Sequence, residues 1–181
     1  SETLSGSGSR DQQEITVEEA LGAPEIASPF TLYDSCPISD GASALVLTSP
    51  EYADEHDLEA NVAITGAGHG GDTMALHDRQ SLSKTPATRE AAEEAYDDAD
   101  IGPSDISLVE VHDCFTIAEV LALEALGLYS YGEAIGAARR GETRRDGELP
   151  VNLSGGLKAK GHPVGATGAA QVAAIATLLD G

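Results

Sequence analysis

A chain of 181 residues, 41% of them hydrophobic, is long enough to close one globular core and too apolar to be disordered. Its 31 acidic and 10 basic residues leave a net charge of −21, which repels phosphate backbones and argues against a nucleic-acid partner. Aromatics are only 4% and Trp is absent, so the core has to be assembled from Ala, Val, Ile and Leu.

The acids are dispersed, at Glu18-Glu19, Glu51 to Glu59 and Glu90 to Asp100, and only three residues are Lys. A dispersed acidic, Lys-poor surface predicts a protein that works in high salt, where screening removes self-repulsion. An ordinary acidic protein is the alternative. Cys36 and Cys114 are too few for a disulfide framework and have no spacing that suits a metal. With neither a signal peptide nor a long apolar run in the sequence, the expectation is a soluble, cytoplasmic protein with no membrane partner.

In chain order, Ser1–Glu14 is polar and carries SGSGS, which predicts a flexible linker or loop, with the folded domain spanning 15–181. A short helix is expected over Ile15–Leu21, capped by Thr16. Ala42–Leu47 and Asn61–Thr65 read as buried strands, with a short acidic helix from about Pro50 between them. Gly66 to Gly71 satisfies Gly-x-Gly-x-x-Gly, but no helix opens at Gly71, as a dinucleotide loop requires. The stretch is read as a glycine-rich loop near the site, and His69 and His77 as loop histidines rather than metal ligands. Pro86–Ala99 is a helix with Pro86 in its first turn, Thr85 as cap and an alanine stripe. Ile106–Val111 is the third strand. A helix over Thr116–Leu126 follows, with Thr116 as cap, Glu119 at capping-box spacing and Gly127 at its end. Tyr131–Arg140 is a further helix, and Asp146-Gly147 a hairpin turn. Arg139–Arg145 holds four of the ten basic residues. It reads as a solvated helix end, with contact to the phosphates of a ligand as the alternative.

The most informative stretch is Asn152–Gln171, NLSGGLKAKGHPVGATGAAQ. Gly155, Gly156, Gly161, Gly165 and Gly168 let backbone come close to a ligand, and Pro163 holds His162 out of the helical region. A helix beginning near Gly165–Gly168 puts its positive end beside this imidazole. A phosphate loop is ruled against, because His162-Pro163 stands where Lys and Ser/Thr would be needed. Upstream, Val109–Phe115 reads VEVHDCF and puts His112 at the end of a strand, where α/β proteins place chemistry.

GGLKAKGHPVGATGAAQ resembles, along its whole length, the Gly-His-Pro motif near the C-terminus of the thiolases. His-Asp-Cys-Phe at 112–115 resembles the sterol-carrier-protein-type thiolases and their archaeal relatives, where other thiolases carry Asn-Glu-Ala-Phe. The resemblance covers nearly all of the C-terminal half of the family. It implies an α/β fold with a mixed β-sheet and helices packed on it, and it implies that the final strands are missing from this chain.

Thiolases join or split acyl-CoA units through an enolate, so negative charge develops on a thioester oxygen and N–H donors stabilise it. By carry-over, His162 binds that oxygen and helps activate the nucleophile, and His112 supplies a second donor, directly or through water. Phe115, Gly155, Gly156 and Gly161 are carried over as substrate-binding. No metal or cofactor is implied beyond coenzyme A thioesters as substrates. The nucleophilic Cys belongs to the N-terminal half, and neither Cys36 nor Cys114 matches it. The resemblance therefore implies an acyltransferase of lipid metabolism, inactive without its N-terminal half or subunit and oligomeric when complete. The alternatives are a non-catalytic partner or scaffold subunit that keeps the thiolase fold, and a ketoacyl-synthase-like condensing enzyme.

Overall fold

The computed structural model describes residues 15–180, so the linker expected over 1–14 lies outside the described residues. The chain begins with α1 (Val17–Leu21). Thr16 accepts the Glu19 amide and Glu19 accepts the Thr16 amide, which is the reciprocal capping box. A short antiparallel pair follows, β1 (Glu25–Ala27) with β2 (Phe30–Thr31). Helix α2 (Pro50–Glu55) starts from Ser49, whose hydroxyl accepts the Tyr52 amide.

Helix α3 (Pro86–Ala99) has the expected bounds. Its expected cap does not form. Thr85 sits at ψ 79°, whereas the working caps Thr16 and Ser49 sit at 163° and 156°. That rotation turns its hydroxyl away from the helix amides and leaves Thr85 Oγ1 buried without a partner. Helix α4 (Thr116–Ala125) also departs from expectation at its start. Phe115 holds the cap position and Thr116 is the first helical residue, so the Thr116 hydroxyl donates to Asp34 (2.8 Å) and Glu119 turns to Asn152. Gly127, at φ +75°, ends the helix as expected. Helix α5 (Ala134–Arg140) is shorter than expected, because residues 131–133 form a turn. The chain turns at Arg144–Gly147, where Gly147 N–H donates to Arg144 O (2.9 Å) and Leu149 N–H to Glu142 O (3.0 Å), but no strands flank the turn and the expected hairpin does not form. A short helix that the sequence did not suggest, α6 (Gly156–Lys160), precedes the long C-terminal α7 (Thr167–Asp180).

The fold is α/β, but its sheet is far smaller than the mixed sheet expected. Residues 42–47 and 61–65 form no ladder, and 106–111 contributes one bridge. Beyond β1 and β2, pairing among the described residues is confined to isolated bridges: Ser35 with Phe115 (antiparallel), Ile38 with His162 (parallel) and Val109 with Val151 (parallel). Strand structure needs hydrogen-bonded neighbours on its edges. The apolar runs at 42–47 and 61–65 lack them, and Val46 and Ile64 are 97% and 62% exposed.

The glycine pattern at 66–71 is explained by packing. A Cβ on Gly66, Gly68 or Gly70 would come within 2.2, 1.8 and 2.0 Å of the carbonyl oxygens of Ala95, Ala91 and Ala87. These alternate glycines lie flat on the alanine stripe of α3. The intervening amides of Ala67, His69 and Gly71 donate to Asp98 (3.2 Å), Glu94 (2.8 Å) and Glu90 (3.4 Å), spaced one helical turn apart. The amides that would cradle a pyrophosphate are thus taken by carboxylates.

The core cluster of Val111, Leu123 and Ala134 joins α4, α5 and the segment before His112, with Val109 and Val151 packed against it, and α3 packs on α4. The Tyr96 hydroxyl donates to Leu126 O (3.0 Å), pinning α3 to the end of α4. Among the described residues, no helix is long and apolar enough to cross a membrane.

Candidate functional site

Two segments carry the site, and side chains hold them together where a sheet would otherwise do so. The segment leading into His112 runs beside residues 150–152. Val109 N–H donates to Pro150 O (3.0 Å), and Asn152 N–H donates to Val109 O (2.8 Å). Asn152 adopts φ +52°, a left-handed conformation that Asn tolerates better than most residues. From there its Oδ1 accepts the Val111 amide (2.8 Å) and its Nδ2 donates to Glu119 (2.9 Å). The Val111 carbonyl accepts from Gln171 Nε2 on α7 (2.7 Å). Both polar groups of Val111 are therefore fixed immediately before His112.

The glycine segment is tied down at several points. Glu110 accepts both the Ser154 amide (2.8 Å) and the Ser154 hydroxyl (2.6 Å), and Lys160 donates to the Ser154 hydroxyl (2.9 Å). Lys158 donates to the carbonyls of Leu32 (2.7 Å) and Ser35 (2.9 Å). Asp113 accepts the Leu157 amide (2.9 Å). Gly156 is buried with φ +62°, and a Cβ there would lie 2.3 Å from Asp113 Oδ2. Gly161, also buried, has φ +92° and leads into His162, whose amide donates to Ser39 Oγ (3.1 Å).

These restraints bring the two sequence-predicted histidines together. The rings of His112 and His162 lie 4.7 Å apart, edge to face at 81°. His112 is exposed, while His162 is half-buried with its Nδ1 2.7 Å from the hydroxyl of the buried Thr167. An open cleft adjoins His162, lined by Ser39 to Ser43 on one side and Pro163 to Ala166 on the other. Phe115 packs against Phe30 with centroids 5.5 Å apart and keeps 38% of its surface exposed. Gly155 adopts φ +100° at the start of α6. Gly156 is placed by the fold to let Asp113 pack closely, and Gly161 supplies the positive-φ turn into His162.

His112 is exposed as a residue, but partial desolvation of its ring and then the neighbouring His162 hold its pKa below the usual imidazole range, against a smaller opposing pull from Asp113. Burial raises the pKa of Asp113, opposed mainly by the Leu157 amide. Glu119 is raised by burial and by the charge of Asp113. The Cys36 thiol is pushed up by burial and then by Cys114, whose carbonyl accepts the Cys36 amide (3.0 Å). A thiol held up in this way is poorly suited to act as a nucleophile.

Sequence reasoning missed Asn152, Glu119, Thr167 and Gln171 as site-supporting residues. Thr167 and Gln171 are spaced four apart and so share one helix face, which was the available signal.

The family model described as thiolase C-terminal domain-like matches residues 68–181, and the chain belongs to this family. Among curated proteins it is 46% identical over 167 residues to an acetyl-CoA acetyltransferase of Methanothermobacter thermautotrophicus, covering 92% of this chain and 43% of that protein. It is 39% identical over 162 residues to the benzoylsuccinyl-CoA thiolase subunit BbsB of Thauera aromatica, covering 89% and 42%. Sterol carrier protein 2 of Rattus norvegicus is 36% identical over 177 residues, covering 96% and 32%. The chain thus spans less than half the length of these relatives. Among solved structures, an Ltp2-ChsH2(DUF35) aldolase superposes with a TM-score of 0.77 at 28% identity, covering 88% of this chain and 42% of that one.

Proposed function

We propose that this domain supplies the imidazole pair of a thiolase, an acyltransferase that forms or cleaves a carbon–carbon bond between acyl-CoA units. The observation that carries the reading is the edge-to-face pair of His112 and His162 beside an open cleft. Negative charge develops on the thioester oxygen as the enolate forms. A fixed N–H donor in a water-poor site contributes about 3 kcal/mol to stabilising such an oxygen. His112, with its pKa held down, is neutral at physiological pH and offers one donor without carrying a charge. His162 binds the same oxygen and helps activate the nucleophile. Phe115 and the turn at Gly155 face the coenzyme A thioester, and the buried Gly156 and Gly161 shape the turn that presents His162 to it. No other cofactor enters this reading.

The nucleophilic thiol comes from an N-terminal half or subunit. In cleavage, this thiolate bonds to the keto carbon, the bond to the α-carbon breaks, and the departing enolate takes a proton. The exposed apolar runs at 42–47 and 61–65 supply surface for such a partner. The complete assembly is then a cytoplasmic oligomer in lipid metabolism, with its acidic surface suited to high salt.

A second reading is carbon–carbon cleavage with no acyl-enzyme, favoured by the aldolase among the structural neighbours. Both readings are tested in the complete protein. His162→Ala is expected to lower thiolysis of acetoacetyl-CoA by ~100-fold or more while the fold survives. Near-normal thiolysis would refute the role of His162. Incubation with radiolabelled acetyl-CoA separates the two readings, since only the thiolase retains covalent label.

A further inference from the structure

We propose that Thr167 sets the tautomer of His162, holding a hydrogen on Nδ1 and keeping Nε2 a bare lone pair in the resting protein. Thr167 is the first residue of α7 and only 2% exposed. Its hydroxyl oxygen lies 2.7 Å from His162 Nδ1 and 3.1 Å from Pro163 O. A carbonyl oxygen can only accept, so a hydrogen bond between Thr167 and Pro163 requires the hydroxyl hydrogen to point at Pro163. Donation from Thr to the carbonyl four residues back is a usual pattern in a helix. The Ala166 and Thr167 amides reach the same carbonyl (2.9 and 3.0 Å), so it already faces the helix start.

With its one hydrogen committed, Thr167 Oγ1 can only accept from the imidazole, and Nδ1 must carry a hydrogen. The opposite arrangement directs the hydroxyl hydrogen to Nδ1. It forgoes the Thr167–Pro163 hydrogen bond and sets the lone pairs of two oxygens against each other at 3.1 Å, beside the buried Thr167 side chain. Gln171, one turn along the same helix, holds Val111 O just before His112. Helix α7 therefore sets both the ring of His162 and the segment that carries His112.

The catalytic consequence rests on the thiolase reading given above. With Nε2 bare, His162 first takes the hydrogen of the nucleophilic thiol. The S–H bond breaks, an N–H bond forms at Nε2, and that new N–H then donates to the thioester oxygen. Thr167 is thus a positioning residue acting through His162.

The test uses protein labelled with 15N-histidine, observed above the imidazole titration. Nitrogen shifts and long-range proton couplings should show His162 protonated at Nδ1 and bare at Nε2. Thr167→Val removes the acceptor and should move hydrogen to Nε2, while Thr167→Ser should keep the wild-type pattern. In the complete enzyme Thr167→Val should lower kcat by ~10–100-fold with little change in KM, and Thr167→Ser should restore it. Hydrogen on Nε2 in the wild type, or an unchanged pattern in folded Thr167→Val, would overturn the proposal. If the valine variant does not fold, the wild-type tautomer alone decides. The nitrogen spectra do not depend on turnover. An Nδ1 hydrogen in a protein without thiolase activity would sink the functional reading and leave this one standing.

Discussion

Gly156→Ala probes the join between the glycine segment and His112 directly. Gly156 sits at φ +62°, where an L-residue pays ~1–2 kcal/mol for its Cβ. The new methyl would lie 2.3 Å from Asp113 Oδ2 and 3.2 Å from its Cγ, so the carboxylate must retreat by about an ångström to reach ordinary contact distance. That retreat breaks the 2.9 Å bond from the Leu157 amide. Losing a hydrogen bond to a charged group costs ~1.5–3 kcal/mol. Together these predict a loss of about 2.5–5 kcal/mol, which for a chain of this size lowers Tm by roughly 5–20 °C. Asp113 directly follows His112, so under the thiolase reading proposed above the turnover of the complete protein should fall as well. Gly165 is the internal control: a Cβ there meets nothing within 4 Å, and Gly165→Ala should change stability by less than about 0.5 kcal/mol. Thermal unfolding followed by circular dichroism compares the two variants. Equal stability of Gly156→Ala and Gly165→Ala would refute the packing of Asp113 against the missing Cβ.

Three other outcomes follow from the fold. Gly68→Ala drives a methyl to 1.8 Å from Ala91 O and should cost ~1–3 kcal/mol or more, whereas Gly71→Ala faces open space and should be neutral; urea midpoints that do not separate the two would refute the docking on α3. At a net charge of −21, moving from dilute to molar KCl should raise Tm, and a flat or falling curve would remove the high-salt reading. Glu119 has a folded pKa raised above its unfolded value, so the folded state binds the extra proton and stability falls as pH rises through that interval. Glu119→Gln keeps an acceptor for Asn152 without the charge. It should match the wild type at about pH 4 and exceed it at about pH 7.5, and urea midpoints showing no change in the difference would contradict the burial of a charged Glu119.

Helix content was legible in the sequence because local rules govern it, and the two histidines now found side by side could be singled out as candidates from their local surroundings. Pro86, the alanine stripe and Gly127 specify α3 and the end of α4 through backbone geometry that acts within a few residues. The glycines around His162 signal close approach wherever they end up in space. What those glycines and caps approach is a different matter. Gly68 lies against Ala91 and Gly156 against Asp113, partners far away in the chain, and nothing within either segment names them. Thr85 and Thr116 look like caps in sequence, but the turns they sit in decide whether the hydroxyl can reach a helix amide. Strands are the extreme case. The apolar runs at 42–47 and 61–65 carry the right pattern, yet a strand exists only when another segment accepts and donates along its edge. The sequence by itself determined which residues are candidates for the thioester site proposed above. Only the tertiary structure decided that Asn152, Thr167 and Gln171 hold His112 and His162 within 4.7 Å, because hydrogen bonds between distant segments depend on position in space.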